Sequence, residues 1–180
     1  MRTIKLSISE AKQAIQSKSR LEALAFAVQI KGMYVSSCLM DCSSSDKSIK
    51  YSKLKEQFHL GHAKIKRIIK NAIEYGYIRL DNGRLIANKL YSTKEFIIRI
   101  NISSKESLIN NSKVKSLIQK TVIIEHINKI SFINDQIYTV KHRGISYKKK
   151  KKTMKKLYEY ALTISDDLIG ISYNTFCKVA

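Results

Sequence analysis

Residues 51–87 read YSKLKEQFHLGHAKIKRIIKNAIEYGYIRLDNGRLIA, and the order of signals in this stretch decides the fold. Leu54 and Phe58 stand four apart, so a short helix over Tyr51–Phe58 turns both to one side. His59-Leu60-Gly61 breaks that helix, with Leu60 as the apolar plug of the turn. A second helix is expected over His62–Tyr75, with Ile65, Ile68 or Ile69, Ala72 and Ile73 as its buried stripe. Gly76 stops it as a C-cap residue does. Tyr77–Leu80 and Arg84–Ala87 then alternate on either side of Asp81-Asn82-Gly83. Asn-Gly between two such runs marks a tight hairpin, because both residues tolerate positive φ.

Working outward, Arg2–Ile8 predicts a short strand with Ile4, Leu6 and Ile8 on one face. Ser7 and Glu10 have capping-box spacing for a brief helix to about Gln16. Ser19 and Glu22 repeat that spacing and open a helix from Arg20 to about Val35. Its expected buried stripe is Leu21, Leu24, Ala25, Val28 and Gly32 or Met33. Ser36–Ser48 reads as a polar loop. Beyond the hairpin, Lys94–Ile102 predicts a further strand, a partner for the first. Ser112 is the expected cap of a long helix to about Lys141, along which Leu117, Ile118, Ile123, Ile127, Ile130, Ile133, Ile137 and Val140 recur. A helix of that length with neither Gly nor Pro is a connector or a dimerising coil, and Gly144 ends it. A lysine run follows Tyr147 and leads into a helix to about Leu162. Asp166–Ala180 resembles the start of another helix-turn-helix, with Ser172 as cap and Phe176 and Val179 inward; the rival reading is a short terminal helix.

Thirty-four Lys and Arg stand against 14 Asp and Glu among 180 residues, a formal net charge of +20. Such an excess repels itself in a compact state and calls for a polyanion. Nucleic acid is the first candidate and an anionic membrane the second. The membrane is disfavoured, since no apolar run approaches the ~20 residues that span a bilayer and Met1-Arg2-Thr3-Ile4-Lys5 lacks the apolar core of a signal peptide. Three cysteines, an odd number, point to reduced thiols and a cytoplasmic setting; small size and a composition without Pro or Trp and rich in Ile, Lys, Asn, Ser and Tyr fit a bacterial or phage-infected cell.

Helix, turn, helix and Asn-Gly hairpin, preceded by a longer apolar helix, resemble the winged helix-turn-helix superfamily over residues 19–90. The resemblance implies that the second helix enters the major groove and the hairpin wing lies along the adjacent backbone or minor groove. It gives His62, Lys64, Lys66, Arg67 and Lys70 the groove and phosphate contacts, and Arg79 and Arg84 the wing. The chemistry points the same way. A helix N-terminus offers free N–H groups to phosphate, and Gly61 lets the backbone approach closely. Lys64, Arg67 and Lys70 follow one another at i, i+3 spacing. Lysine grips phosphate as a point charge more than it reads bases. The superfamily often places Ser, Thr, Asn or Gln at the reading end of this helix, where Gly61, His62 and Ala63 stand here. Sequence discrimination is therefore expected to be modest and to rest on Arg67, His62 and Lys64.

The second electrostatic feature is the run Lys148, Lys149, Lys150, Lys151, Lys152, Lys155 and Lys156. As a phosphate clamp, each contact steepens the log–log salt dependence by about 0.9; as a bland feature, it is a solvated hinge. Cys38, Cys42, His59 and His62 are the right types for zinc, but the His pair is tighter than finger spacing, so no metal site is expected. No cofactor is expected, since no phosphate-cradling glycine loop is present. No catalytic role is expected either. Asp166 and Asp167 are adjacent and diverge on a helix, and none of the ten tyrosines has recognisably spaced Arg and His companions.

The expectation is thus an α+β, mainly helical chain in three parts: a winged-helix domain with its flanking strands over 1–103, a long connector or dimerisation helix over 104–143, and a basic helical tail over 144–180. Its expected role is non-catalytic binding of DNA, duplex favoured, as a transcriptional regulator or a replication or recombination accessory factor, with homodimerisation through the helix 113–141. The rival readings are a phage or mobile-element assembly protein that uses the fold for protein contacts, and an RNA binder. Sparse aromatic platforms, five Phe and no Trp, count against recognition of single strands.

Overall fold

The computed structural model of the chain describes residues 2–34, 38–39, 51–92, 97–102 and 108–142, together with residues 144, 149, 152, 153, 155 and 156. The protein is mainly helical with small antiparallel sheets. It divides into two compact units, Met1–Thr121 and Val122–Ala180.

The first unit opens with β1 (Arg2–Ser7) and α1 (Ile8–Gln16). Ser7 ends the strand and caps the helix, its hydroxyl accepting from the Glu10 amide. Ile8, expected on the strand, is buried in the first turn of α1 instead. The central helix α2 (Lys18–Met33) is capped by Ser17 and not by Ser19: the Ser17 hydroxyl accepts from the Arg20 amide, and α2 starts two residues earlier than expected. Removing an N-cap hydroxyl costs about 1 kcal/mol, while an ordinary surface change stays within about 0.5. Urea unfolding is therefore expected to show Ser17→Ala less stable by about 1 kcal/mol and Ser19→Ala shifted by less than half of that.

The expected one-sided stripe of α2 is also corrected, because every residue from Leu21 to Ile30 is buried. Leu-Glu-Ala-Leu-Ala-Phe-Ala-Val-Gln-Ile is apolar nearly all round, as a helix surrounded by neighbours must be. Those neighbours are α1, β1, β2, α4 and β4. Within Ser36–Ser48, Cys38–Leu39 forms the two-residue strand β2; the rest of that stretch lies outside the described residues.

α3 (Tyr51–Phe58) buries Leu54 and Phe58 as the spacing predicts. α4 (His62–Glu74) buries Ile65, Ile68, Ile69 and Ala72, whereas Ile73 is 40% exposed and does not belong to the stripe. Tyr75 forms the C-cap, and Gly76 follows at φ +71, the left-handed conformation that reverses the chain. β3 (Ile78–Asp81) and β4 (Arg84–Ala87) pair with Asp81 opposite Arg84, so the turn is the two residues Asn82 (φ +48) and Gly83 (φ +73). β2 adds on the far side of β4, giving the antiparallel order β2-β4-β3. A separate ribbon joins β1 to β5 (Ile97–Ile102), with Arg2 opposite Ile102 and Ser7 opposite Ile97. The strand expected from Lys94 thus begins at Ile97, residues 93–96 lying outside the described set. Ile98, Ile100 and Ile102 turn inward from the ribbon, and Arg99 and Asn101 outward.

The long helix α5 (Asn111–His142) begins in the first unit. Its cap is Asn110 and not Ser112: the Asn110 carboxamide oxygen accepts from the amides of Ser112 (2.9 Å) and Lys113 (3.2 Å). A buried polar network ties this end to α2. Gln29 donates to the carbonyls of Leu108 and Ile109, and Asn111 donates to the Gln29 side-chain oxygen at 2.9 Å. In the second unit α5 buries Val122, Ile123, His126, Ile133 and Val140. Ile127, expected on that stripe, is 50% exposed, and Ile124, Phe132 and Tyr138 are exposed as well. The side chains of Ile130 and Ile137 lie outside the described set, as does the whole of Asp166–Ala180. Among the described residues no helix is long and apolar enough to cross a membrane.

Candidate nucleic-acid interface

Four apolar side chains pin α4 to the core, and the opposite face of the helix is left to water. That outer face carries Lys66, Arg67 and Lys70, all exposed, with Ala63 between them and the helix start. Ala63 keeps the surface low near the start of the helix. His62 is exposed too, its ring meeting the Tyr51 ring edge at 5.7 Å. Residues 62–87 hold six basic side chains against Glu74 and Asp81. The hairpin leaves the end of α4 within the same stretch and presents Arg79 and Arg84 on exposed positions.

The expected basic row is modified in three places. Lys64 does not share the outer face with Arg67 and Lys70. It is half-buried and lines a cleft of about 420 Å³ between the α3–α4 turn and the start of α5, with His59, Leu60 and Lys113 among its neighbours. Successive i, i+3 steps drift by 60° around a helix of 3.6 residues per turn, which separates Lys64 from Lys70. Lys70 lies 3.7 Å from Glu74, but both side chains are more than half exposed, so the pair is screened by water and holds Lys70 only weakly. Arg67 is held more firmly, by the buried carboxylate of Glu22 at 3.2 Å.

On the hairpin, Arg79 donates to the Asn88 side-chain oxygen at 3.0 Å, and Asn88 donates to the Gly76 carbonyl at 2.9 Å. These bonds brace the hairpin against the end of α4. A second brace lies at the base. Arg20 contacts the Glu10 carboxylate at 2.8 and 3.1 Å and donates to the Tyr77 hydroxyl at 2.9 Å, while Tyr77 donates to Glu10. Burial and that bond to Glu10 hold the Tyr77 hydroxyl well above the ordinary phenol range, and the bond to Tyr77 raises the Arg20 guanidinium further. The Arg20 guanidinium also lies over the Tyr75 ring at 5.4 Å. Three elements, α1, α2 and β3's approach, are thereby locked where the hairpin departs.

In the second unit, Lys149, Lys152, Lys155 and Lys156 are exposed on helical backbone, and the Thr153 hydroxyl donates to the Lys149 carbonyl at 3.0 Å. Lys148, Lys150 and Lys151 lie outside the described residues. Of the four zinc-type side chains, Cys42 is outside the described set, and among the described residues no three His, Cys, Asp or Glu side chains gather as a metal site.

The sequence reading gave Glu22 only a helix-capping role, and gave Lys113 and Lys115 none. For Glu22 the available signal was a carboxylate in the run Leu21 to Ile30, whose one other polar side chain is Gln29, where an unpaired charge could not persist. The class that fold and surface define together is a mainly helical α+β protein with a basic helix-and-hairpin face. The chain matches no family model, and its comparison with curated proteins and with solved structures returned no match.

Proposed function

We propose that the protein is a winged helix-turn-helix protein that binds duplex DNA, chiefly through its phosphates and without catalysis, as a transcriptional regulator or a replication or recombination accessory factor. The observation that carries this reading is the basic outer face of α4, Lys66, Arg67 and Lys70, set beside the Asn82-Gly83 hairpin with Arg79 and Arg84 on a chain of net charge +20. The element order α2-β2-α3-α4-β3-β4 and the strand order β2-β4-β3 support assignment to that superfamily. In that assignment α4 is the groove helix and β3–β4 the wing. A convex helix about 10–12 Å across with its side chains suits the major groove of B-DNA, about 12 Å wide. The exposed lysines of the 149–156 segment add phosphate contacts of the same kind.

Exposed Ile124, Ile127, Phe132 and Tyr138 on α5 favour a subsidiary reading, self-association through that helix, which would present two groove helices to one duplex. Fluorescence anisotropy with a random duplex, a single strand and an RNA at two salt concentrations tests the main reading. Duplex is expected to bind best, with affinity falling on a log–log slope of about 0.9 per phosphate engaged. Equal failure on all three polymers, or a salt-independent signal, overturns it.

A further inference from the structure

The acid buried beneath the basic face suggests how one cation on that face differs from its neighbours. Glu22 sits in the apolar core helix α2 with its side chain 4% exposed. Its Oε2 takes Arg67 Nη2 of α4 at 3.2 Å, and its Oε1 lies 3.6 Å from Lys115 Nζ of α5. An ionised carboxylate at that depth needs charged partners, and here two helices each supply one. Arg67 nevertheless keeps its side chain 58% exposed, and the pair lies at the side of an open cleft of about 410 Å³ lined by Ser17, Lys18 and Ser19. One Nη2 hydrogen bond anchors the guanidinium, and more than half of the side chain stays open to solvent.

We propose that Arg67 is the specificity-determining residue of α4 and that Glu22 is its positioning residue. This rests on the reading of α4 as the groove helix. The physical reason is a contrast between cations. Lys66 and Lys70 are long, rotatable point charges at the surface, suited to phosphates whose positions vary little with sequence. A guanidinium presents several N–H groups in a fixed plane and can meet guanine O6 and N7 with two of them, but only where its plane is held in register. The bond from Nη2 to the Glu22 carboxylate narrows the orientations of that plane before DNA arrives, so less rotamer freedom is lost on contact. Lys115 supplies the second cation, so Glu22 retains a partner when Arg67 also engages a base edge.

The test uses the full chain and a duplex enriched by the wild-type protein from a random-sequence pool, compared with a base-shuffled duplex of equal length. Glu22→Gln keeps the volume and removes the charge. It is expected to lower the preference for the enriched duplex about tenfold, the scale of one two-bonded guanine contact, while binding to the shuffled duplex changes little. Arg67→Lys is expected to lose the same preference, and the double variant no more than either single one. A purely structural role for Glu22 would instead weaken both duplexes alike and leave the ratio intact, which overturns the proposal. Should Glu22→Gln lose its cooperative thermal transition, Glu22→Asp keeps the buried charge but withdraws it by one methylene, and the same ratio is read. Salt-dependent duplex binding with no enrichment from the pool overturns the role of Arg67 while leaving the DNA reading in place. Absence of duplex binding overturns both.

Discussion

Phe58→Ala is expected to destabilise the protein by about 3–5 kcal/mol in urea unfolding followed by circular dichroism, the range for truncating a buried phenylalanine. Phe58 is 1% exposed and its ring meets that of Phe26, itself fully buried, edge to face at 4.9 Å. The contact joins α3 to the core helix α2 immediately before the turn that aims α4. Ala at this position removes the apolar area, the ring–ring attraction of about 0.5–1.5 kcal/mol and the filling of the site together. Leu80→Ala, where the side chain is 48% exposed, is the matched control and is expected to stay within about 0.5 kcal/mol. A Phe58→Ala loss as small as the control would mean that α3 is not held through this ring pair. Duplex affinity should fall along with stability, since an unseated α3 no longer braces the start of α4.

The second large effect concerns binding with the core untouched. Lys66, Lys70 and Arg84 are all exposed, and among the described residues only Lys70 of the three has an ion-pair partner, Glu74 at 3.7 Å. Replacing all three by Ala is expected to weaken duplex binding by more than about tenfold at physiological salt and to flatten the log–log salt slope by about 0.9 for each phosphate no longer engaged. Thermal stability should stay close to wild type, because exposed pairs contribute little. Anisotropy over a salt series reads affinity and slope together. A variant with the same reduction of charge elsewhere, Lys5, Arg99 and Lys120 to Ala, separates local binding from bulk charge. If both variants weaken binding equally, the helix-and-hairpin face is not the interface and the protein attracts DNA only through its overall field.

Local chemistry explains why so much of the central stretch was legible. α3 and the start of α4 stand where the apolar spacing placed them, Gly76 and Asn82-Gly83 take the positive φ that their residue types allow, and Ser7 caps α1. Each of these depends on residues a few positions apart. The two misplaced caps, Ser19 for Ser17 and Ser112 for Asn110, have a common cause. Several Ser and Asn side chains crowd each helix start, and local preference does not choose among them. The choice falls to whichever start lets α2 and α5 meet their partners, and that is decided at long range.

The basic face belongs to both levels. Sequence alone determined that Lys66, Arg67 and Lys70 lie on the far side of α4 from Ile65, Ile68, Ile69 and Ala72, since helical periodicity requires it. It determined likewise that a tight hairpin follows with Arg79 and Arg84 upon it. Only the tertiary structure decided that α2 is buried all round, that Cys38–Leu39 closes the sheet against β4, and that Lys64 turns into a cleft beside the start of α5. Only it brought Glu22 under Arg67 across 45 residues of chain and Lys115 to the other side of the same carboxylate. The reason is range: periodicity and turn chemistry act between near neighbours, whereas a buried charge finds its partners among whatever side chains the packing of distant helices brings within 4 Å.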